Sequence, residues 1–151
     1  GVYIANINSD KQVVICGLKE KLEKFKDQSN LGKFIPLNVS APFHSELMLE
    51  SSKLFIDKNK NIKFNKVNFD LISNHQLKNY KNIPETEFIN QLSLQIHSPV
   101  MWSDTIKKIV KIGVSKFIEI GPKKTLLNFI PKNLDAEKIF ITSSEDINSY
   151  V

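Results

Sequence analysis

The sequence predicts a mixed α/β fold, and three observations carry that expectation. Short apolar runs rich in Ile, Val and Phe alternate with longer stretches whose apolar residues recur at helical spacing. Gly, Pro, Asn and Asp stand between these runs, where they end one element and start the next. The 151 residues, 41% hydrophobic and 25% charged, match a globular domain long enough to hold a core of its own.

Residues 2–7 and 12–16 read as two strands joined by the polar cluster Asn8-Ser9-Asp10-Lys11. A helix follows over about 18–29, with Leu18, Leu22 and Phe25 on one face and Glu20 four residues before Lys24. Gly32 is its stop signal, and residues 34–39 form the next expected strand. Strand, strand, helix, strand is three-quarters of a ferredoxin-like unit, with the leading strand and helix missing. Gly1 begins almost inside a strand and without an initiator methionine, so the chain reads as cut.

From His44 the pattern changes. A helix over about 45–58 leads to a short strand at 69–73, closed by Asn74. A second helix starts near Pro84, where proline suits a first turn, carries Phe88, Ile89, Leu92 and Ile96, and stops before Pro99. A third, over about 101–112, presents Trp102, Ile106, Ile109 and Val110 before Gly113. Residues 114–120 read as a buried strand entering Gly121-Pro122, 123–130 as a short helix, and 139–141 as a last strand. The polar tail, 143–151, is expected to fray. Helices alternating with short strands in this way argue for a parallel α/β layer. The expected organisation is a partial ferredoxin-like subdomain over 1–39 and a larger α/β part over 40–151.

Composition excludes several function classes. No apolar run approaches the ~20 residues of a membrane span, and the start lacks a signal-peptide layout. Cys16 is the only cysteine, which excludes an internal disulfide and a cysteine-based zinc site and makes the reducing cytoplasm the expected compartment. Within its apolar run Cys16 reads as a small buried side chain. The net charge is +5, and all 21 basic residues are lysine. Without arginine, bidentate contacts to bases and phosphates are missing, and Phe25, Phe34, Phe88 and Phe117 fall at core periodicity, so no nucleic-acid partner is expected. A lysine-rich surface does suit an acidic protein. His44, His75 and His97 lack cysteine or ligand-spaced carboxylate partners, so no metal is expected. The scattered glycines form no phosphate loop, and the acidic residues form no pair spaced for glycoside chemistry.

One stretch stands out: Leu37-Asn38-Val39-Ser40-Ala41-Pro42-Phe43-His44-Ser45-Glu46-Leu47-Met48. Pro42 forces a turn, Ser45 is placed to cap the next helix, and Met48, Ser52 and Phe55 follow along one side of it. His44 then sits at a strand-to-helix corner, where a side chain reaches a cleft while packed elements hold it still. This run resembles the active-site His segment of malonyl-CoA:acyl-carrier-protein transacylases. Three further stretches resemble the same family in the same order: Ala5-Asn6-Ile7-Asn8-Ser9 running into Gln12-Val13-Val14-Ile15-Cys16-Gly17, then Gln95-Ile96-His97-Ser98-Pro99-Val100-Met101-Trp102, then Phe117-Ile118-Glu119-Ile120-Gly121-Pro122 with Leu126. Four matches in register cover nearly the whole chain.

The resemblance implies the C-terminal part of an α/β-hydrolase-like sheet after the partial ferredoxin-like subdomain. It implies Ser–His ping-pong transfer of malonyl from malonyl-CoA to the phosphopantetheine thiol of acyl carrier protein in type II fatty-acid synthesis. No cofactor is bound permanently; malonyl-CoA is substrate, the carrier protein is the partner, and the full-length enzyme is a monomer. By the same resemblance His44 is the catalytic base, and the main-chain carbonyl of Gln95 accepts a hydrogen bond from its imidazole. Phe43 crowds an α-branched acyl chain, Asn6 and Asn8 line the coenzyme A and pantetheine channel, and Lys33 lies near the coenzyme phosphates. Acyl transfer also needs a nucleophile, and no Gly-x-Ser-x-Gly elbow occurs. Ser40 and Ser45 are too local to His44 to replace it. The bidentate arginine that clamps the malonyl carboxylate is absent too. The fragment alone is therefore expected to be inactive. Lys123 follows Gly121-Pro122 where the family carries glycine, so that loop is expected to be reshaped. Two alternatives stay open: a non-catalytic half-enzyme that binds carrier protein or coenzyme A, and a piece of a polyketide synthase acyltransferase domain.

Overall fold

The structure, a computed structural model, describes residues 1–148. Internal contacts divide the chain into two compact units, residues 1–102 and residues from Ser103 onward.

In the first unit the opening hairpin forms where alternation and turn residues predict it. β1 (Val2–Ser9) and β2 (Gln12–Gly17) pair antiparallel around Asp10 and Lys11. The register runs Ile4↔Ile15 and then Asn6↔Val14, which leaves buried Ala5 as an extra residue on β1. Such a bulge bends the strand and re-aims its side chains. The far edge of β1 is also occupied: Ile7 N donates to Val100 O at 2.8 Å, and Val100 N donates to Ala5 O at 2.8 Å. α1 (Lys19–Gln28) follows, with Leu22 and Phe25 half-buried and Phe25 edge-on to Phe34 at 6.2 Å between ring centroids. Leu18 does not share that face: it is the exposed N-cap residue.

Two expected strands do not form. Residues 34–39 are unpaired, because Pro36 has no N–H to offer and no neighbouring strand lies beside them among the described residues. Ile35, Leu37 and Val39 are exposed there. Residues 69–73 supply only the single bridge Ile72↔Asn79. β-propensity describes how side chains fit a pleated surface, and without a partner strand it decides nothing.

Two helices pack against each other. A 3-10 turn (Glu46–Met48) leads into α2 (Leu49–Asn59), and another (Glu85–Glu87) follows Pro84 and leads into α3 (Phe88–His97). Met48, Ser52 and Phe55 turn inward, as their spacing predicts. Ser52 is 2% exposed, and its Oγ donates to Ser93 O at 2.8 Å, so two small residues join the helices at close range. Phe88 anchors the core below α3, edge-on to both Phe64 at 5.6 Å and Tyr80 at 5.4 Å.

The second unit is a parallel α/β piece. α4 (Trp102–Lys111) ends in a Schellman arrangement: Val114 N donates to Ile109 O at 3.1 Å and Gly113 N to Val110 O at 2.9 Å, with Gly113 at φ 95. β3 (Lys116–Ile120) and β4 (Glu137–Ile141) pair in parallel, with Lys116 opposite Glu137 and bridged to it at 2.9 Å. β3 is not the buried strand its apolar run suggests: Phe117 is buried, but Ile118 and Ile120 are exposed. The helix expected over 123–130 is reduced to a 3-10 turn (Leu127–Phe129). Glu119 explains the loop before it. Its carboxylate accepts from Thr125, Leu126 and Leu127 N at 2.8–3.0 Å. Burial works to raise the pKa of Glu119, but these donors and Lys124 hold it below the ordinary carboxylate value. Lys123 lies outside the positive-φ region, so a side chain fits there without backbone strain. Residues 144–148 of the tail expected to fray form a short helix. Asp146 Oδ2 accepts from Thr142 N at 2.7 Å and Ser143 N at 3.0 Å and starts α5 (Ser144–Asn148). The remainder of the expected fraying tail, 149–151, lies outside the described residues.

Candidate active site

His44 occupies a backbone conformation that non-glycine residues rarely take, φ 63. Among the described residues only Leu77 is comparable. Such outliers persist where the surroundings over-determine them, and here they do. The His44 N–H donates to Ile96 O at 3.0 Å, and His44 Nδ1 lies 2.8 Å from Gln95 O. Both acceptors belong to the last turn of α3, whose final carbonyls have no partner within the helix. Backbone and imidazole of one residue thus cap the end of a helix that is 51 positions away in sequence.

The chemistry of the pair follows from what a carbonyl can do. An amide oxygen only accepts, so Nδ1 must carry the proton and the neutral ring presents Nε2 as a lone-pair base. A carboxylate is not needed to fix tautomer and orientation.

The Gln95 side chain has a different task from its carbonyl. Its Nε2 donates to the Tyr80 hydroxyl at 2.9 Å. Burial pushes the Tyr80 phenol above its ordinary pKa, against the effect of the Gln95 amide that donates to it. Tyr80 and Gln95 also line an open cavity of about 430 Å³ with Phe64, Leu71, Phe88 and Leu92. Sequence reading missed Tyr80, because a tyrosine between two loops carries no periodic signal.

The corner before His44 is held from several sides. Ser45 is 2% exposed, and its Oγ donates back to Pro42 O at 2.6 Å. It makes no side-chain cap to the following turn, which corrects the capping role its position suggested. The Cys16 thiol points at the same corner, 3.9 Å from Pro42 O and 3.8 Å from Phe43 O. It is half-buried there and not sealed within a core.

The remaining predicted residues are spread more widely. Phe43 adjoins His44 and is 47% exposed. Asn6 is half-buried at the β1 position that bridges to Val100, and Asn8 is buried further along that strand. Val100 follows α3 by three residues, so β1 is tied to the helix end that holds His44. Lys33 is exposed beyond α1 and, among the described residues, makes no hydrogen bond or ion pair to His44 or Gln95. Among the described residues no group of three His, Cys, Asp or Glu side chains could hold a metal ion, and no helix is long and apolar enough to cross a membrane.

No family model matches the chain. Individual proteins do. The polyketide biosynthesis malonyl CoA-acyl carrier protein transacylase of Bacillus subtilis is 35% identical over 142 residues, 90% of this chain and 48% of that protein. The malonyl CoA-acyl carrier protein transacylase of Haemophilus influenzae is 30% identical over 98% of this chain and 48% of its own. Among solved structures, the malonyl-CoA:ACP transacylase of Synechocystis superposes with a TM-score of 0.88 at 29% identity, over 98% of this chain and 50% of that one. A malonyl-transacylase solved with its type II polyketide acyl-carrier protein gives a TM-score of 0.88 at 26% identity, over 98% of this chain and 48% of that one. The chain spans about half the length of the curated relatives it matches. In sequence and in fold the chain is similar to about half the length of malonyl-CoA:acyl-carrier-protein transacylases.

Proposed function

We propose that this chain is the histidine-bearing part of an acyltransferase that moves malonyl from coenzyme A to the phosphopantetheine thiol of an acyl carrier protein. The observation that carries the proposal is the His44 Nδ1 contact to Gln95 O at 2.8 Å on a left-handed His44. In the proposed cycle His44 Nε2 takes the proton of a serine hydroxyl as its oxygen attacks the malonyl thioester carbonyl. The proton passes to the departing coenzyme A sulfur and leaves a malonyl-serine ester. His44 next takes the proton of the carrier thiol as its sulfur attacks the ester, and returns it to the serine oxygen.

The chain holds neither a serine elbow nor an arginine. The reading therefore assigns the nucleophile and the carboxylate clamp to a longer polypeptide, in which 1–39 and 40–151 belong to a smaller and a larger subdomain of an α/β-hydrolase-like enzyme. Phe43 disfavours α-branched acyl groups, with an expected discrimination of ~1–3 kcal/mol. Asn6 and Asn8 line the pantetheine channel, and Lys33 meets the coenzyme phosphates. The enzyme works in the cytoplasm as a monomer, with no permanently bound cofactor. Fatty-acid synthesis is the primary assignment. The Bacillus subtilis relative named for polyketide biosynthesis supports polyketide supply as a second reading, and the identity of the carrier separates the two.

The test is intact mass spectrometry of the native protein from its source, before and after malonyl-CoA. A species much heavier than 17.3 kDa that gains one malonyl group and loses it to a carrier protein is the expected result. A 17.3 kDa species that never acylates would overturn the proposal in favour of a non-catalytic binding module.

A further inference from the structure

We infer that Ser45 is a positioning residue for His44: its hydroxyl, bonded to the Pro42 carbonyl, locks the left-handed backbone that aims the imidazole at Gln95. The inference rests on the reading of His44 as the base, and the experiment below separates the two.

Three observations support it. First, the Ser45 bond reaches backward across the His44 turn at 2.6 Å, where a capping serine would reach forward into the helix. It closes the four-residue turn Pro42 to Ser45 around the position at φ 63. Second, Ser45 is 2% exposed, so solvent does not replace the donor when the hydroxyl is removed. The Cys16 thiol at 3.9 Å from the same oxygen is a weak donor at long range. Third, the turn must hold two bonds at once, His44 N to Ile96 O and His44 Nδ1 to Gln95 O, at 3.0 and 2.8 Å. These acceptors are successive carbonyls of one helix. Only a narrow range of His44 φ brings both donors to them, and an L-residue leaves the left-handed region readily unless it is held there.

The experiment is ¹⁵N NMR of the histidine side chains, with amide exchange, on the native protein from its source and on its Ser45→Ala variant. Wild type is expected to show His44 as the single Nδ1–H tautomer, with its amide protected. Ser45→Ala is expected to give a mixed Nδ1–H and Nε2–H pattern and an amide that exchanges roughly fivefold faster, the factor one lost hydrogen bond implies. Ser52→Ala is the control. Ser52 is equally buried, and its Oγ donates to Ser93 O at 2.8 Å, away from the corner. It should weaken packing while leaving the His44 tautomer as in wild type. If Ser45→Ala does not fold, Ser45→Cys keeps a side chain of similar size with a weaker donor, and the same shift is expected in it.

A wild-type His44 signature in the folded Ser45 variant would overturn the positioning role and leave the His44–Gln95 pair intact. An equal change in Ser52→Ala would also overturn it, because general loosening would then suffice. An Nε2–H tautomer in wild type itself would overturn the reading of the pair, and the inference with it.

Discussion

Two turns of the first unit each contain a histidine and a non-glycine residue of positive φ, and they treat that histidine in opposite ways. At one, His44 is itself the left-handed residue, and both its N–H and Nδ1 are bonded to the end of α3. At the other, Leu77 takes φ 55 within a turn closed by Ser73 N to Lys78 O at 2.7 Å and Lys78 N to Ser73 Oγ at 3.0 Å. His75 lies inside that turn, 8% exposed, with neither ring nitrogen bonded. Burial, with the nearby positive charge of Lys78 and then His97, holds the His75 pKa below its ordinary 6.5. The difference teaches what to look for in an unassigned histidine. A ring with one nitrogen pinned and the other unengaged is arranged for proton transfer; a ring with both nitrogens buried and unpaired is a structural liability.

The largest expected effect lies at the first turn. On the proposed reading, His44→Asn in the longer polypeptide keeps a residue that tolerates left-handed φ but removes the base, so malonyl loading should fall at least ~10²-fold while the melting temperature stays within a few degrees. His44→Ala should lose as much activity and more stability, since alanine is strained at φ 63. Loading unchanged in both would break the contrast drawn here.

The second turn should respond in the other direction. His75→Leu removes two unpaired buried nitrogens and should raise the melting temperature of the chain by roughly 2–4 °C, the equivalent of about 1 kcal/mol at this size. The gain should also depend on pH. Because the folded-state pKa of His75 is lowered, the unfolded chain binds the proton first below pH 6.5, and wild-type stability declines from there down to the folded value. His75→Leu should remove that part of the decline. A parallel pH profile in the two proteins would show that His75 is not the group responsible.

The smallest effect tests Gln95. Alanine keeps the main-chain carbonyl that His44 uses and loses only the amide bonded to Tyr80. Gln95→Ala should lower stability by about 1 kcal/mol and loading by less than about tenfold. A loss as large as that of His44→Asn would mean that the side chain, and not the carbonyl, sets the imidazole.

How much of this was legible in the sequence depends on the kind of signal. The hairpin, α1 to α4 and the last strand announce themselves by period and punctuation, and they lie within a few residues of where they were expected. Residues 34–39 and 69–73 look like strands, but a strand is completed by a neighbour that local sequence does not name. At the site, Pro42 and the spacing after Ser45 marked the corner, but a hydroxyl that bonds backward and one that bonds forward read alike. Gln95 was reachable only through resemblance, because a main-chain oxygen has no side-chain signature. Tyr80 and the unpaired His75 required coordinates.

The capping of α3 by His44 has a consequence for how the site would fail. Helix ends are the first parts of a helix to open, on a scale well below global unfolding. The acceptors of His44 sit in the last turn of α3, so the tautomer of the ring is coupled to the fraying equilibrium of a helix distant in sequence. Heating should therefore uncouple the imidazole before the hairpin or the Phe88 cluster melts. His44 would serve as an early reporter of subglobal opening, and inactivation would precede denaturation.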